Sequence, residues 1–304
     1  MKQSIILLAL AVVLASCGGS DSGVQGTSEL ATEMDSISYG AGSFLIGQLK
    51  DIGLEPVAQQ LGQGLADVYA DKAYITEEEG RQFVTEFQMA LQQNPGPYGE
   101  DNPAPFSVDT LSYVFGTDFC RYVNSFNMKL TESAFLQGAL DAESGAESLI
   151  GGPSADDQMM QALTIKIQEK QVEKNMAEGQ AFIAEKSQEE GVQSTPSGLH
   201  YKVIEEGAGA SPTAADQVTV HYEGRLLDGS VFDSSIARGQ PASFGLSEVI
   251  AGWTEGLQLM KPGAKYQFYI PQELAYGLAG SRGGIPPAAT LIFDVELISV
   301  LSQQ

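Results

Sequence analysis

Near its C-terminus the chain reads Val218-Thr219-Val220-His221-Tyr222-Glu223-Gly224, with apolar and polar side chains in alternation. This period of two is typical of a β-strand with one buried face. Similar segments, rich in β-branched and aromatic residues, occur at residues 200–204, 265–270 and 291–300. Residues 246–260 instead read as a short helix with Val249, Ile250 and Trp253 on one side. One helix laid across an antiparallel sheet predicts an α+β domain over residues 198–304.

The residues before this domain contain an internal repeat. Asp35-Ser36-Ile37-Ser38-Tyr39 recurs as Asp109-Thr110-Leu111-Ser112-Tyr113, at an offset of 74 residues. The same offset relates Gly42 to Gly116, Gln63-Gly64 to Gln137-Gly138, Asp67 to Asp141, and Met89 to Leu163. A constant offset indicates one duplicated module. We predict copy 1 at residues 31–94, copy 2 at residues 106–192, and a linker rich in proline and glycine at residues 95–105.

Both copies read as helical, and the second ends in a long helix. Thr76 and Glu79 form a capping box that predicts a helix start. Little stops a helix from about residue 155 until Gly191, which predicts a stalk helix over residues 155–190. One face of the stalk carries Met159, Met160, Leu163 and Ile167. This face either packs against the preceding helices, which we favour, or offers a surface to unfolded proteins.

The composition excludes several classes of function. The 304 residues include 16 basic and 39 acidic side chains, which gives a formal net charge of -23. Such a field repels a phosphate backbone, so we expect no binding of nucleic acid. The two histidines and two cysteines leave little for a metal site or for thiol chemistry. We therefore expect no metal and no cofactor.

The first 30 residues predict export and lipid anchoring. Residues 1–16 have the basic start of a signal peptide and an apolar run that is too short to span a membrane. They lead into Leu14-Ala15-Ser16-Cys17, which resembles the lipobox of bacterial lipoproteins, where the cysteine is acylated; an ordinary signal peptide is the alternative. Residues 17–30 read as a flexible tether. With Cys17 carrying lipid, Cys120 is expected to be a small buried residue, and an interchain disulfide is less favoured.

Six sequence blocks carry a resemblance to a known family. They are Val220-His221-Tyr222-Glu223-Gly224, Gly229-Ser230-Val231-Phe232-Asp233-Ser234-Ser235, Val249-Ile250-Ala251-Gly252-Trp253, Ala275-Tyr276-Gly277, Gly284-Ile285-Pro286-Pro287 and Leu291-Ile292-Phe293-Asp294-Val295-Glu296-Leu297. In this order and spacing they resemble the FKBP-type peptidyl-prolyl cis-trans isomerases over residues 198–304. The resemblance implies an antiparallel half-barrel sheet wrapped on one short helix, preceded here by an all-α region with a long stalk helix.

A second resemblance concerns the helical region. Ser38-Tyr39-Gly40 and Gln63-Gly64 resemble the N-terminal dimerisation module of the macrophage infectivity potentiator group. In that group two chains intertwine their helical modules, whereas here two copies lie in one chain. The copies therefore either pair within the chain, which gives a monomer, or pair between chains, which gives a homodimer.

The resemblance to the isomerases also implies a proline-binding pocket. An X-Pro amide rotates over a barrier of about 18–20 kcal/mol, and a dry aromatic site that strips water from the amide favours its twisted form. The residues implied as catalytic are Tyr222, Phe232, Asp233, Trp253, Tyr276 and Phe293. Those implied to bind substrate are Val249, Ile250, Phe244, Ile285 and Arg238. Trp253 would form the floor, Tyr276 would donate to a substrate carbonyl, and Asp233 would lie near that carbonyl or pair with Tyr222 and Arg238.

Two functions are consistent with the sequence. The first is a lipid-anchored prolyl isomerase that assists the folding of exported, proline-containing polypeptides. The second is a non-enzymatic chaperone that holds unfolded chains. For both, we expect a place in the cell envelope, lipid-anchored at the outer membrane, on its periplasmic or its surface face.

Overall fold

The computed structural model describes residues 26–94, 97–99, 101–151, 154–282 and 284–301. The predicted signal peptide, Cys17 and most of the predicted tether lie outside these ranges, as do Pro95 and Gly96 of the predicted linker. The chain divides into two compact units, one up to Ile167 and one from Gln168 onward. Within the described ranges, none of the helices has both the length and the apolar character that a membrane span requires.

The first unit is helical, as predicted. Its helices are α1 (Glu33–Asp51), α2 (Ala58–Tyr69), α3 (Glu77–Gln93), α4 (Val108–Asn124), α5 (Glu132–Ser144) and the first part of α6 (Ala155–Lys186). α3 begins at the predicted capping box, in which Thr76 accepts from the Glu79 amide and Glu79 accepts from the Thr76 amide. The box satisfies amides that a helix start otherwise leaves unpaired. Lys186 ends α6 four residues before the predicted limit.

The two copies of the repeat pair crosswise within this unit. α1 of copy 1 packs on α5 of copy 2, and α2 of copy 1 packs on α4 of copy 2. The hydroxyl of Tyr39 donates to Asp141 at 2.6 Å, and the hydroxyl of Tyr113, its repeat equivalent, donates to Asp67 at 3.0 Å. Both pairs join one copy to the other, so the repeat offset is reproduced as an approximate twofold relation.

Small residues allow the crossed helices to approach closely. A Cβ atom added at Gly42, Gly64, Gly116 or Gly138 would lie 1.9–2.2 Å from a backbone oxygen of the facing helix. The serine of each repeat adds a second symmetric contact, because Ser38 accepts from the Thr131 amide at 2.8 Å and Ser112 accepts from the Val57 amide at 3.0 Å. These contacts explain why the repeated residues are glycine, serine, tyrosine and aspartate.

The repeat relation changes after the second helix of each copy. Met89 on α3 is 47% exposed, whereas Leu163 on α6 is 1% exposed, so burial does not support their predicted equivalence. The buried apolar residues of α3 are Phe83, Val84 and Phe87. The connection from α5 to α6 is also longer than the connection from α2 to α3, so the copies differ in length before α6.

The apolar face of the stalk is packed, as favoured by the sequence. Leu163 and Ile167 are buried in the helical core, and Met159 and Met160 pack partly buried against it. Cys120 belongs to the same core and is fully buried, as expected of a small apolar residue. The alternative, a surface for unfolded proteins formed by these methionines, is not supported.

The second unit contains an antiparallel sheet and one short helix, so the predicted α+β class is confirmed. The strands are β1 (Val192–Ser194), β2 (His200–Glu205), β3 (Gln217–Arg225), β4 (Val231–Ser234), β5 (Ala242–Gly245), β6 (Lys265–Ile270) and β7 (Leu291–Leu301). They are arranged in the order β1-β2-β6-β7-β3-β4, and β5 pairs with β3. Alternate residues of β3 are buried over its whole length, which is the period that the sequence predicted.

Helix α7 (Ala251–Gln258) lies against the buried face of the sheet and is shorter than the predicted 246–260. It starts late because the backbone at Ile250 is extended, with φ -60° and ψ 150°, and because the Leu246 amide bonds to the carbonyl of Asp216. Trp253 and Leu257 of α7 share one apolar core with Val220, Phe268 and other inward residues of the strands. The late start leaves Val249 and Ile250 on a connecting segment beside this core.

Candidate active site

Five aromatic rings meet where α7 faces the sheet. The Trp253 ring lies 5.1 Å from Tyr222, 5.6 Å from Phe244 and 5.2 Å from Phe293, all edge to face. Phe232 joins through Phe293 at 5.5 Å. Edge-to-face pairs at these separations are favourable because the positive ring edge meets a negative ring face. We call the rings of Tyr222, Phe232, Phe244, Trp253 and Phe293 the aromatic cluster.

The elements of the sheet bring these rings together from distant parts of the sequence. Gly224 of β3 pairs with Phe293 of β7, and a Cβ atom added to this glycine would lie 2.6 Å from the Phe293 ring and 2.7 Å from the Phe232 ring. Glycine therefore makes room for two rings of the cluster. Trp253 enters from α7, whose Gly252 and Gly256 allow equally close packing on Ile270 and Phe268 of β6.

A polar network borders the cluster at Tyr222. The hydroxyl of Tyr222 donates a short hydrogen bond to Asp233, and Arg238 donates to Asp233 from one nitrogen and to the Tyr222 oxygen at 2.8 Å from another. Asp233 and Arg238 are 42% and 46% exposed, whereas Tyr222 is 4% exposed. The network thus joins a buried ring to the solvent-facing rim. The sequence had left the place of Arg238 open, and the structure puts it in this network.

The charges of the network are fixed by its own hydrogen bonds. Burial raises the pKa of Tyr222, and the hydrogen bond to Asp233 adds to this effect. Burial also acts to raise the pKa of Asp233, but hydrogen bonds from Tyr222 and Arg238 outweigh it and hold that pKa below its ordinary value. At neutral pH the network therefore contains a carboxylate, a protonated phenol and a guanidinium.

The remaining candidate residues differ in how closely they join the cluster. Ile285 is 6% exposed and lies in the same apolar core, and Val249 and Ile250 pack partly buried against that core. Tyr276 is 41% exposed and, among the described residues, makes no ring contact with the cluster. Tyr276 thus stands at the solvent side, where a donor to a substrate carbonyl has to be accessible.

One buried donor of the cluster is unpaired. Within the described ranges, Trp253 is 4% exposed and its Nε1 has no hydrogen-bond partner. Leaving a buried donor unpaired costs about 1–3 kcal/mol, and such costs occur at functional sites.

The structure also gives a role to Ser235, a residue that belongs to one of the quoted sequence blocks but was not predicted as a site residue. The fully buried Ser235 hydroxyl accepts from the Tyr222 amide at 2.8 Å and lies 3.2 Å from the Tyr222 carbonyl oxygen. It therefore fixes the backbone that carries the central tyrosine. A small hydroxyl residue directly after Asp233 and Ser234 was the available signal.

Two family models match parts of this chain. A family model described as FKBP-type peptidyl-prolyl cis-trans isomerase matches residues 209–298, and one described as the domain amino terminal to FKBP-type peptidyl-prolyl isomerase matches residues 108–203. The probable FKBP-type peptidyl-prolyl cis-trans isomerase FkpA of Neisseria meningitidis is 42% identical over 204 residues, which cover 64% of this chain and 75% of that protein.

Two further relatives cover similar lengths. The outer membrane protein MIP of Legionella longbeachae is 39% identical over 203 residues, which cover 63% of this chain and 85% of that protein. The crystal structure of FkpA from Escherichia coli shares 37% identity and covers 64% of this chain and 97% of that chain, with a TM-score of 0.49.

Proposed function

Because the chain belongs to the FKBP-type peptidyl-prolyl cis-trans isomerases and so rotates X-Pro bonds in proline-containing polypeptides, we propose that this reaction takes place at the aromatic cluster. The observation that carries the assignment is the meeting of five rings with a carboxylate network at one edge. Rings supply a dry surface for the proline, and the network supplies fixed polar groups beside it.

The proposed mechanism needs no nucleophile. The planar amide is more polar than the twisted amide, so removing water from it lowers the barrier to rotation. Trp253 lies under the proline ring, with Val249, Ile250 and Ile285 at the sides. Tyr276 donates to a substrate carbonyl. Asp233 orients the Tyr222 hydroxyl and, paired with Arg238, fixes the polar edge of the site.

The first test compares Asp233→Ala with Asp294→Ala on short X-Pro peptides. Both aspartates are 42% exposed and both pair with an arginine, but Asp294 pairs with Arg225 on the sheet rather than bordering the cluster. We expect Asp233→Ala to lower kcat/KM by about tenfold or more because the network is lost, and Asp294→Ala to keep wild-type activity. Equal activity of the two variants would contradict the assignment.

Trp253→Ala tests the floor of the site, and we expect it to lower kcat/KM by about a hundredfold through misplacement of the proline. A tryptophan that is 4% exposed also supports the fold, so removing it costs about 3–5 kcal/mol of stability. Trp253→Phe keeps a ring at this place, and its intermediate activity in a folded protein would separate loss of the floor from unfolding. Full activity of folded Trp253→Ala would contradict the proposal.

We also propose that the enzyme is lipid-anchored through Cys17 in the cell envelope, at the outer membrane, and assists the folding of exported proteins. The support is the lipobox-like sequence at Leu14-Ala15-Ser16-Cys17 and the similarity to the Legionella relative, which is named an outer membrane protein. Mass spectrometry of the mature N-terminus tests this. A diacylglyceryl group on Cys17 is expected, and an unmodified N-terminus elsewhere would contradict it.

Finally, we propose that the two helical copies close on each other and leave the chain a monomer. The support is that the crosswise pairs Tyr39–Asp141 and Tyr113–Asp67 form within one chain. The four repeated glycines already face backbone of the other copy, so each copy has a partner without a second chain.

A further inference from the structure

The loop that carries Ile285 is held in an unusual conformation. We call residues 284–290 the Ile285 loop. Near its start, Ile285 forms a pair of backbone hydrogen bonds with Ser281, at 2.9 and 3.3 Å. Near its other end Ala288 has φ 56°, in the left-handed region that residues other than glycine rarely adopt. A conformation of this kind persists where its surroundings hold it in place.

The centre of the loop has few donors of its own. Pro286 and Pro287 are consecutive, and proline has no backbone N–H, so this part of the loop can form backbone hydrogen bonds only through its carbonyl groups. The next amide, that of Ala288, bonds back to the carbonyl of Gly277 at 3.0 Å. An anchor for the Pro287 carbonyl therefore has to come from another element.

That anchor is provided by the part of α6 that belongs to the second unit. The side-chain amide of Asn175 donates to the Pro287 carbonyl at 2.7 Å. One turn later on the same helix face, a Cβ atom added at Gly179 would lie 2.3 Å from the Thr290 hydroxyl. The helix thus contacts the loop at two places, and Gly179 allows the close approach that brings Asn175 within reach.

The loop in turn reaches the site through Ile285. This side chain is 6% exposed and lies in the apolar core that includes Trp253 and Phe293. Movement of Pro287 changes where Ile285 sits, since only Pro286 separates them in the chain. We propose that Asn175 is a positioning residue that holds the Ile285 loop for substrate binding. The stalk helix α6 then contributes to the activity of the isomerase. This inference rests on the proposed site.

Asn175→Asp is the sharpest test, because aspartate has the shape of asparagine but lacks the N–H that reaches Pro287. We expect KM for an X-Pro peptide to rise about three- to tenfold, with little change in kcat, since the loop contributes to binding. Binding of the same peptide, followed by the fluorescence of Trp253, the single tryptophan of the chain, should weaken by the same factor.

Two companion variants make the result specific. Asn175→Ala also removes the donor, but alanine is the better helix former, so any loss cannot come from a weakened stalk. Lys174→Ala changes the exposed neighbour on the same turn and should keep the wild-type KM. Melting temperatures are measured for all three variants, so that a rise in KM can be compared with any loss of stability.

The outcomes separate the possibilities. A wild-type KM in Asn175→Asp, or the same rise in Lys174→Ala, would overturn the proposal. A fall in melting temperature and in active fraction at unchanged KM would also overturn it, because Asn175 would then serve only the fold. Full activity of folded Trp253→Ala would instead contradict the assignment of the site, whatever the Asn175 variants do.

Discussion

Asp233 and Asp294 have the same exposure and the same kind of arginine partner, yet only Asp233 also accepts from a tyrosine of the aromatic cluster. The difference lies in the strand that each occupies, since β4 ends beside the cluster and β7 carries Asp294 on its outer face. Residue identity alone does not distinguish such carboxylates. What distinguishes them is the neighbour that the fold supplies.

The network predicts a flat pH profile for the isomerase. The pKa of Asp233 is held below its ordinary 3.8 and that of Tyr222 is raised above its ordinary 10.0, so neither group changes charge between about pH 5 and 9. We expect kcat/KM for an X-Pro peptide to be constant over this range. The fall begins only on the acid side, as Asp233 is protonated. A transition within the range would contradict control of the activity by this network.

A second carboxylate, Asp118 of α4, behaves in the opposite way. It is 7% exposed, and within the described ranges its Oδ2 has no hydrogen-bond partner. Burial raises its pKa to about 6, although Arg121, 3.9 Å away, opposes the shift. The folded state therefore binds this proton more tightly than the unfolded state, and stability falls as the pH rises from 3.8 through about 6.

Asp118→Asn should remove this dependence. A neutral amide avoids a buried charge, so we expect the free energy of unfolding at pH 8 to rise by about 1–3 kcal/mol, with no gain at pH 4. Urea unfolding followed by circular dichroism at both pH values measures it. Asp101→Asn, at an exposed turn, is the control and should change little at either pH. A gain of equal size at pH 4 would contradict the explanation.

At the scale of elements, the crossed helices depend on glycines that the repeat duplicated. A Cβ atom added at Gly138 would lie 1.9 Å from the carbonyl oxygen of Tyr39. A Cβ atom added at Gly47, within α1, would meet nothing within 4 Å. The two glycines therefore form a matched pair for substitution by alanine. Packing opposes a methyl group at Gly138, whereas at Gly47 only helix propensity acts, and it favours alanine.

Gly138→Ala should destabilise the helical unit by about 2–3 kcal/mol, because backbone has to move to admit the methyl group. Gly47→Ala should be neutral or stabilise it by up to about 1 kcal/mol, because alanine is the better helix former. Thermal or urea unfolding of both variants gives the comparison. Equal effects of the two substitutions would show that the close approach is not needed.

The sequence predicted most of the helices and strands but missed the features that depend on contacts between distant segments. Periodicity located the strands, and the constant offset found the duplication. The offset could not tell that α1 of copy 1 would pack on α5 of copy 2, since periodicity carries no information about partners. Likewise the late start of α7 follows from the Leu246 amide bonding to Asp216, a tertiary contact, and the difference in length before α6 follows from a longer connection.

The residues of the candidate site likewise fall into those that the sequence indicated and those that only the structure revealed. A family resemblance named its residues, and the structure brings together the five rings, Asp233 and Arg238. Asn175 and Ser235 went unassigned because one acts across 112 residues and the other through its backbone partners. Glycine lowers helix propensity in the middle of the stalk, and the reason for Gly179 appears only with Thr290 beside it.

At the scale of the whole molecule, the internal pairing predicts the mass in solution. A chain of 32.3 kDa whose helical copies satisfy each other should scatter light as a single chain at micromolar concentration. Size-exclusion chromatography with light scattering measures this on the full mature protein. A mass near twice that value would contradict the monomer and show that the copies pair between chains.

The end of α3 determines how many isomerase units one chain carries. Copy 1 stops its third helix at Gln93, whereas copy 2 extends the corresponding helix to Lys186 and into the isomerase unit. In the proposed monomer, one chain therefore carries one isomerase unit and one active site. Such a monomer would bind a proline-containing polypeptide at one site, without the gain in effective concentration that two linked sites provide.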